Sequence, residues 1–141
     1  MADNSTPAAT AIMSVAASAL RAQQARMKVI AENMANADTV SQTAGGDPYR
    51  RQVPVFAPTT LPDGAKGVTM SRIDRDTTPF NNEYRPGDPS ANAQGYVKLP
   101  NVNPLTEAMD MRDAQRAYEA NLSVIETARS MQTSTLDLLS K

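Results

Sequence analysis

The chain has 141 residues, 14 Lys and Arg against 15 Asp and Glu, and an aromatic content of four Tyr and two Phe. Its near-neutral charge gives no electrostatic footprint for nucleic acid or for an anionic membrane surface. The absence of both Cys and His excludes disulfides, thiol nucleophiles and zinc–thiolate sites, and removes the usual neutral-pH acid–base group. No enzymatic activity, cofactor, metal, nucleic-acid partner or small-molecule substrate is therefore expected.

No run of apolar residues reaches the roughly 20 needed to span a bilayer. The opening "MADNSTPAATAIMSVAASAL" lacks the positive n-region and continuous apolar stretch of a secretory signal. If the protein leaves the cytoplasm, it is expected to do so without a cleaved signal peptide.

All six glycines and nine of the ten prolines fall between residues 45 and 104, which predicts helices at both ends and a middle that cannot stay helical. The first segment, 1–38, is expected to start its helix at Thr6-Pro7, with Thr as cap and Pro in the first turn. Met13, Leu20, Met27 and Met34 recur every seven residues, and Ala16, Gln23 and Ile30 follow the first three by three, as a and d positions do. A helix from Pro7 to Asn36 would be about 45 Å long at ~1.5 Å per residue. The stretch "IAENMANADT" closes it. Asn33, Asn36 and Asp38 are poor helix-interior residues whose short polar side chains compete for backbone bonds and tolerate left-handed geometry. A cap needs one of them. Asn33 lies beside the seam, so these amides are expected to bond backbone groups where the helix meets a neighbour.

The middle, 39–102, reads as short extended segments between turns. "YRRQVPVF" puts Tyr49, Arg51, Val53 and Val55 on one side of a strand that Pro54 confines to an edge or a bulge. "GVTMSRI" and "GYVKLP" are two further strand candidates. "AGGDP" has glycines but neither the Lys-Ser/Thr of a phosphate loop nor the spacing of a dinucleotide fingerprint, and reads as a turn. Asp74 and Asp76, among Arg72 and Arg75, read as a solvated charged loop.

The last segment, 103–141, begins with Asn103 as cap, Pro104 at the first helical position and Glu107 at the positive end of the dipole. Met111, Tyr118, Ile125, Gln132 and Leu139 fall seven apart, with Gln115, Leu122, Arg129 and Leu136 four after the first four. A helix from Pro104 to Leu139 would be about 54 Å long. Asp110, Arg112, Asp113, Arg116 and Glu119 form a mixed charged face, expected to be solvent-facing or inter-subunit. The fold class expected is mainly α: two long terminal helices packing as a coiled-coil-like pair, with a small β-containing or extended insert.

A monomeric helical hairpin would be the plainest use of such stripes. Against it, Gln23, Gln115, Arg129 and Gln132 weaken a two-helix core, and a second row at Val124, Met131 and Leu138 stays uncovered. Burial against other copies is more economical. The expected assembly interface comprises Met13, Leu20, Met27, Ile30, Met34, Met111, Tyr118, Leu122, Ile125, Leu136 and Leu139.

"KVIAENMANADT" resembles the N-terminal signature of the bacterial flagellar axial family, the rod, hook and hook-associated proteins, with Met34 where Leu is usual. "AQRAYEANLSVIETARSM" is similar to that family's closing helix. "ADTVSQTAGGDPYRRQVPVF" and "YRPGDPSANAQGYVKLPNVNPLTEAMDM" resemble proximal-rod members, with matching motif positions at Asn33, Asn36, Thr39, Tyr49, Pro86, Gly87, Tyr96, Pro100 and Asn101. The resemblance implies a non-enzymatic structural subunit of the basal-body rod, the shaft that crosses the periplasm and carries torque from motor to hook. It implies export by the flagellar type III apparatus, and partners that are other copies and other rod proteins. Three alternatives are set beside it: another proximal-rod subunit, a cytoplasmic coiled-coil export chaperone, and a peptidoglycan-cutting enzyme using Glu107 or Glu119 from an exposed helix face.

Overall fold

A computed structural model describes residues 6–140, with side chains from residue 8 onward. Its elements in chain order are α1 (Thr6–Ala35), β1 (Gln52–Thr60), β2 (Lys66–Arg75), β3 (Asn81–Tyr84), β4 (Tyr96–Leu99) and α2 (Pro104–Leu139). The side-chain cap expected from Thr6 lies outside the described residues.

Both helices run close to the lengths their breakers imply, 30 and 36 residues. Asn103 starts α2 as a cap, its Oδ1 accepting the backbone N–H of Leu105 at 3.0 Å. Asn36 ends α1: its side-chain amide donates at 2.9 Å to the carbonyl of Glu32, which also accepts the Asn36 backbone N–H at 3.1 Å. The left-handed backbone expected of such a residue is not used, because among the described residues every positive φ belongs to glycine.

The mainly α expectation is corrected. About 48% of the chain is helical and 20% is strand, arranged as two antiparallel two-stranded sheets, so the protein is mixed α and β. β1 and β2 are 9 and 10 residues long, and β3, "NNEY", was not anticipated. Prolines made β1 look short. Pro54 and Pro58 are four apart and so turn their ring nitrogens to one side of the strand. The pairing bonds fall on odd positions, the carbonyl of Arg51 with the N–H of Asp76 and the N–H of Leu61 with the carbonyl of Ala65. In a two-stranded ribbon the other side has no strand partner, and the missing N–H of Pro54 and Pro58 costs nothing there.

β3 pairs with β4 in the register Asn81↔Leu99 to Tyr84↔Tyr96. The facing Tyr84 and Tyr96 rings lie 5.2 Å apart, tilted 59°, a cross-strand pair at stabilising range. Gly95 (φ +82°) reverses the chain into β4 at a point where a Cβ would sit 2.9 Å from the Tyr84 ring, so both sterics and backbone require glycine.

The described chain divides into two compact units. Unit 1 takes residues up to Arg26, Val55–Arg72 and Asp113 onward. Unit 2 takes Met27–Pro54 and Ile73–Arg112. Unit 1 buries small side chains: Ala16, Ser18, Ala22, Ala114 and Ala128. Its hairpin lies against α1 where Ser18 Oγ accepts the backbone N–H of Val68 at 3.1 Å. The adjacent Gly67 has no room for a Cβ, which would meet Ser18 Oγ at 2.6 Å and both Leu61 methyls at 3.0 Å. Unit 2 buries Val29, Ile30 and Val97 together with three polar residues, Asn33, Ser90 and Glu107.

Candidate functional site

The two most deeply buried polar side chains of unit 2, Asn33 and Glu107, belong to a network drawn from three distant stretches. Asn33 sits in the last turns of α1, Tyr49 to Gln52 lead into and begin β1, and Glu107 lies in the first turn of α2. Asn33 is 1% exposed and Glu107 0%. Burial at that level is tolerable only when each hydrogen-bonding group is paired.

Each one is. Asn33 Oδ1 accepts from the Tyr49 hydroxyl and from the N–H of Gln52, both at 2.9 Å. Its Nδ2 donates to the carbonyl of Gln52 at 2.8 Å and to Glu107 Oε2 at 3.2 Å. The other Glu107 oxygen accepts from Arg51 Nε. Arg51 also reaches Asp76 and Asp110, each at 3.5 Å, and its backbone N–H donates to Asn101 Oδ1 at 2.8 Å. Asn101 donates in turn to the carbonyls of Asp76 and Thr78, at 3.2 and 3.0 Å. Arg50 stacks over the Phe80 ring at 4.1 Å, within cation–π range.

The electrostatics follow from these partners. Burial disfavours the charged Arg51 guanidinium, but the hydrogen bond and charge of Glu107, with Asp76, outweigh it and hold its pKa above the usual arginine value. Burial first, and then the charges of Glu32 and Glu107, push the Tyr49 phenol up, so it stays a donor to Asn33. Hydrogen bonds from the Thr78 hydroxyl and amide, and then the Arg51 charge, lower Asp76.

Three charged expectations change. Glu107 is not on an exposed helix face, so it has no access to a substrate as a general acid. Asp110 leaves the solvated charged face to pair with Arg51. Asp76 is not part of a solvated loop, since it accepts from Thr78 and Arg51. Thr78 is local to Asp76, but Arg51, which all three acids share, lies at least 25 residues from each of them, beyond the reach of local patterns.

The motif positions gather around the same place. Thr39 donates to Asn36 Oδ1 at 3.2 Å, and its carbonyl accepts the N–H of Tyr49 at 3.0 Å. Asn33, Tyr49 and Asn101 are in the network itself, and Pro100 is buried. Pro86, Gly87 and Tyr96 lie in the β3–β4 hairpin. Asp38 is exposed.

The expected assembly residues spread over a range of exposures. Ile30 is buried. Met13, Leu20, Met27, Met111, Tyr118 and Ile125 are half-buried, and Met34, Leu122, Leu136 and Leu139 are exposed. The most protected row of α2 runs through Glu107, Ala114, Asn121 and Ala128, three residues after each of Met111, Tyr118 and Ile125 rather than four. Sequence reasoning followed side-chain size to Leu122 and Leu136. The signal available in the sequence is the pair Ala114 and Ala128, two heptads apart on one face, whose small side chains let backbones approach.

Among the described residues there is no group of three or more potential metal ligands, and no helix is long and apolar enough to cross a membrane.

The two ends of the chain match two family profiles. "Flagella basal body rod protein" matches residues 13–40, which include Asn33. "Flagellar basal body rod FlgEFG protein C-terminal" matches residues 93–138, which include Glu107. These define the class as flagellar basal-body rod proteins. Over most of its length the chain is similar to "Flagellar basal-body rod protein FlgC" of Agrobacterium fabrum, 42% identical over 131 residues that cover 92% of this chain and 94% of that protein. It is similar to the protein of the same name from Escherichia coli O6:H1, 41% identical with 90% and 95% covered, and from Bacillus subtilis, 36% identical with 89% and 95% covered. The chain belongs to the FlgC family.

Proposed function

We propose that the chain is a structural subunit of the bacterial flagellar basal-body rod, in its proximal part. The observation that carries this reading is 36–42% identity with FlgC proteins across about nine tenths of both lengths. Copies of the chain and of other rod proteins stack helically into the shaft that crosses the periplasm and transmits torque to the hook. The subunit reaches this place through the flagellar export apparatus.

The physical support lies in the helices. α1 and α2 carry exposed apolar side chains along much of their length, including Ile12, Val124, Met131, Leu136, Leu138 and Leu139. Such a surface is a liability for a monomer and an asset for an assembly. Many small apolar contacts between neighbouring helices share load along a shaft. Heterologous contacts that do not close into a ring generate the required helical tube. Residues 1–38 and 103–141 then supply the axial core, and 39–102 join adjacent subunits or face outward.

The test is deletion of the gene in its bacterium and electron microscopy of purified basal bodies. Rings without rod or hook support the reading; complete rods overturn it. Leu20→Asp and Ile125→Asp place a charge in the half-buried seam and are expected to leave expression and export intact while stopping rod growth. Normal swimming by either variant would remove its residue from the interface.

A further inference from the structure

We infer that Asn33 and Glu107 form a register lock that positions the end of α1, the start of α2 and the entry of β1 as one arrangement. That the lock matters for assembly rests on the rod-subunit reading; the lock itself does not.

Asn33 offers Gln52 what a neighbouring strand would offer. Its carbonyl oxygen takes the Gln52 N–H and its amide N–H gives to the Gln52 carbonyl, at 2.9 and 2.8 Å. Slipping a strand by one residue turns these groups to the opposite side, so a single register of the chain entering β1 satisfies the amide. The second N–H of Asn33 is then aimed at Glu107 Oε2, and the remaining carboxylate oxygen takes Arg51 Nε.

Donors and acceptors in this arrangement are directional. The Asn33 nitrogen supplies only donors, and the carboxylate of Glu107 supplies only acceptors. Both side chains are fully buried, so water does not repair a mismatch. The groups facing the pair from every packed element are Tyr49, Arg51 and Gln52, with Asp76 and Asp110 beyond Arg51.

This chemistry predicts an exchange that a merely space-filling role does not. In N33D an acceptor replaces the amide nitrogen and faces two other acceptors, the Gln52 carbonyl and Glu107 Oε2. In E107Q one amide nitrogen must face a donor, whether Asn33 or Arg51. In N33D/E107Q the new amide at 107 donates to the new carboxylate at 33, its oxygen still accepts from Arg51, and the net charge of the cluster is unchanged. The Gln52 carbonyl loses its partner and the second N–H of the amide at 107 gains none, but no acceptor–acceptor or donor–donor contact remains between positions 33, 107 and 51.

The experiment measures thermal melting of the purified full chain for the four proteins, and swimming of a gene-deletion strain complemented with each. Each single variant is expected to melt about 5–10 °C lower and to swim poorly. The double variant is expected to melt above both singles and to recover most of the swimming. A double variant that melts no higher than the worse single overturns the lock. Recovery of melting without recovery of swimming, in a strain that the unaltered chain restores, overturns its role in assembly. Failure of the unaltered chain to restore swimming counts against the rod reading and leaves the melting result to judge the lock alone.

Discussion

The two units solve burial in opposite ways. Unit 2 encloses large side chains and a polar network in which Asn33 and Glu107 use their bonding groups within the chain. Unit 1 encloses alanines and one serine, exposes Leu122, Val124, Met131 and Leu138, and leaves Gln23 Oε1 as a buried side-chain acceptor with no partner among the described residues. A satisfied polar core specifies one arrangement without help from outside. A small-residue seam bordered by uncovered apolar rows specifies close approach and leaves the remaining burial to another molecule. On the rod-subunit proposal, unit 1 is then the part that joins the subunit to others.

Substitution of Glu107 is the severest way to break the contrast. Glu107→Ala leaves Arg51 without its closest partner and Asn33 Nδ2 with an unmet hydrogen. It is expected to cost about 3–5 kcal/mol, the range for removing one member of a buried pair, read as a fall in the urea midpoint. A loss below about 1 kcal/mol would mean that the site relaxes or admits water.

Gly67→Val tests unit 1 at the approach of its hairpin to α1. The added side chain meets Ser18 Oγ and the Leu61 methyls, and overpacking of this kind costs about 1–3 kcal/mol. Gln23→Met is expected to act in the other direction, raising stability by about 1 kcal/mol by removing an unsatisfied buried acceptor. Met131→Ser, on an exposed position, is expected to change the stability of the isolated chain by less than about 0.5 kcal/mol and yet to impair motility. If it unfolds the chain instead, the uncovered row belongs to the subunit's own core.

How much of this was legible depended on the range of each interaction. Helix ends were readable because Pro104, Asn103 and Asn36 act within four residues of themselves. The row that α2 buries within the chain was not singled out, because Leu122 and Leu136 outweigh Ala114 and Ala128 in any reading by hydrophobic volume, although backbone proximity favours the alanines. Pro54 pointed to an edge strand or a bulge, and β1, with a single strand neighbour, is an edge strand. Asn33 stood out as an oddity of the helix end, but Glu107 resembled any acid of a first turn. Its partners Arg51 and Asn33 lie 56 and 74 residues away, and no local pattern encodes such a pairing.

The smallest expected effect concerns pH, at the edge of the same network. The Thr78 hydroxyl and its N–H, the latter at 2.8 Å, bond Asp76 Oδ1 and with Arg51 hold the carboxyl below its ordinary value. A carboxyl with a depressed folded-state pKa binds fewer protons folded than unfolded. Its stabilising contribution is therefore complete above the unfolded value of about 4 and is lost as pH falls through the folded one. Thr78→Ala removes the hydroxyl bond and keeps the amide bond, which reduces the contribution without abolishing it. Urea midpoints of the unaltered chain and of this variant are expected to differ slightly at pH 6 and to converge as pH falls below the depressed folded-state value, where the carboxyl is protonated in both. A gap that stays constant across that interval would assign the role of Thr78 to turn geometry, and would leave Arg51 and the Thr78 amide as the groups that keep Asp76 ionised.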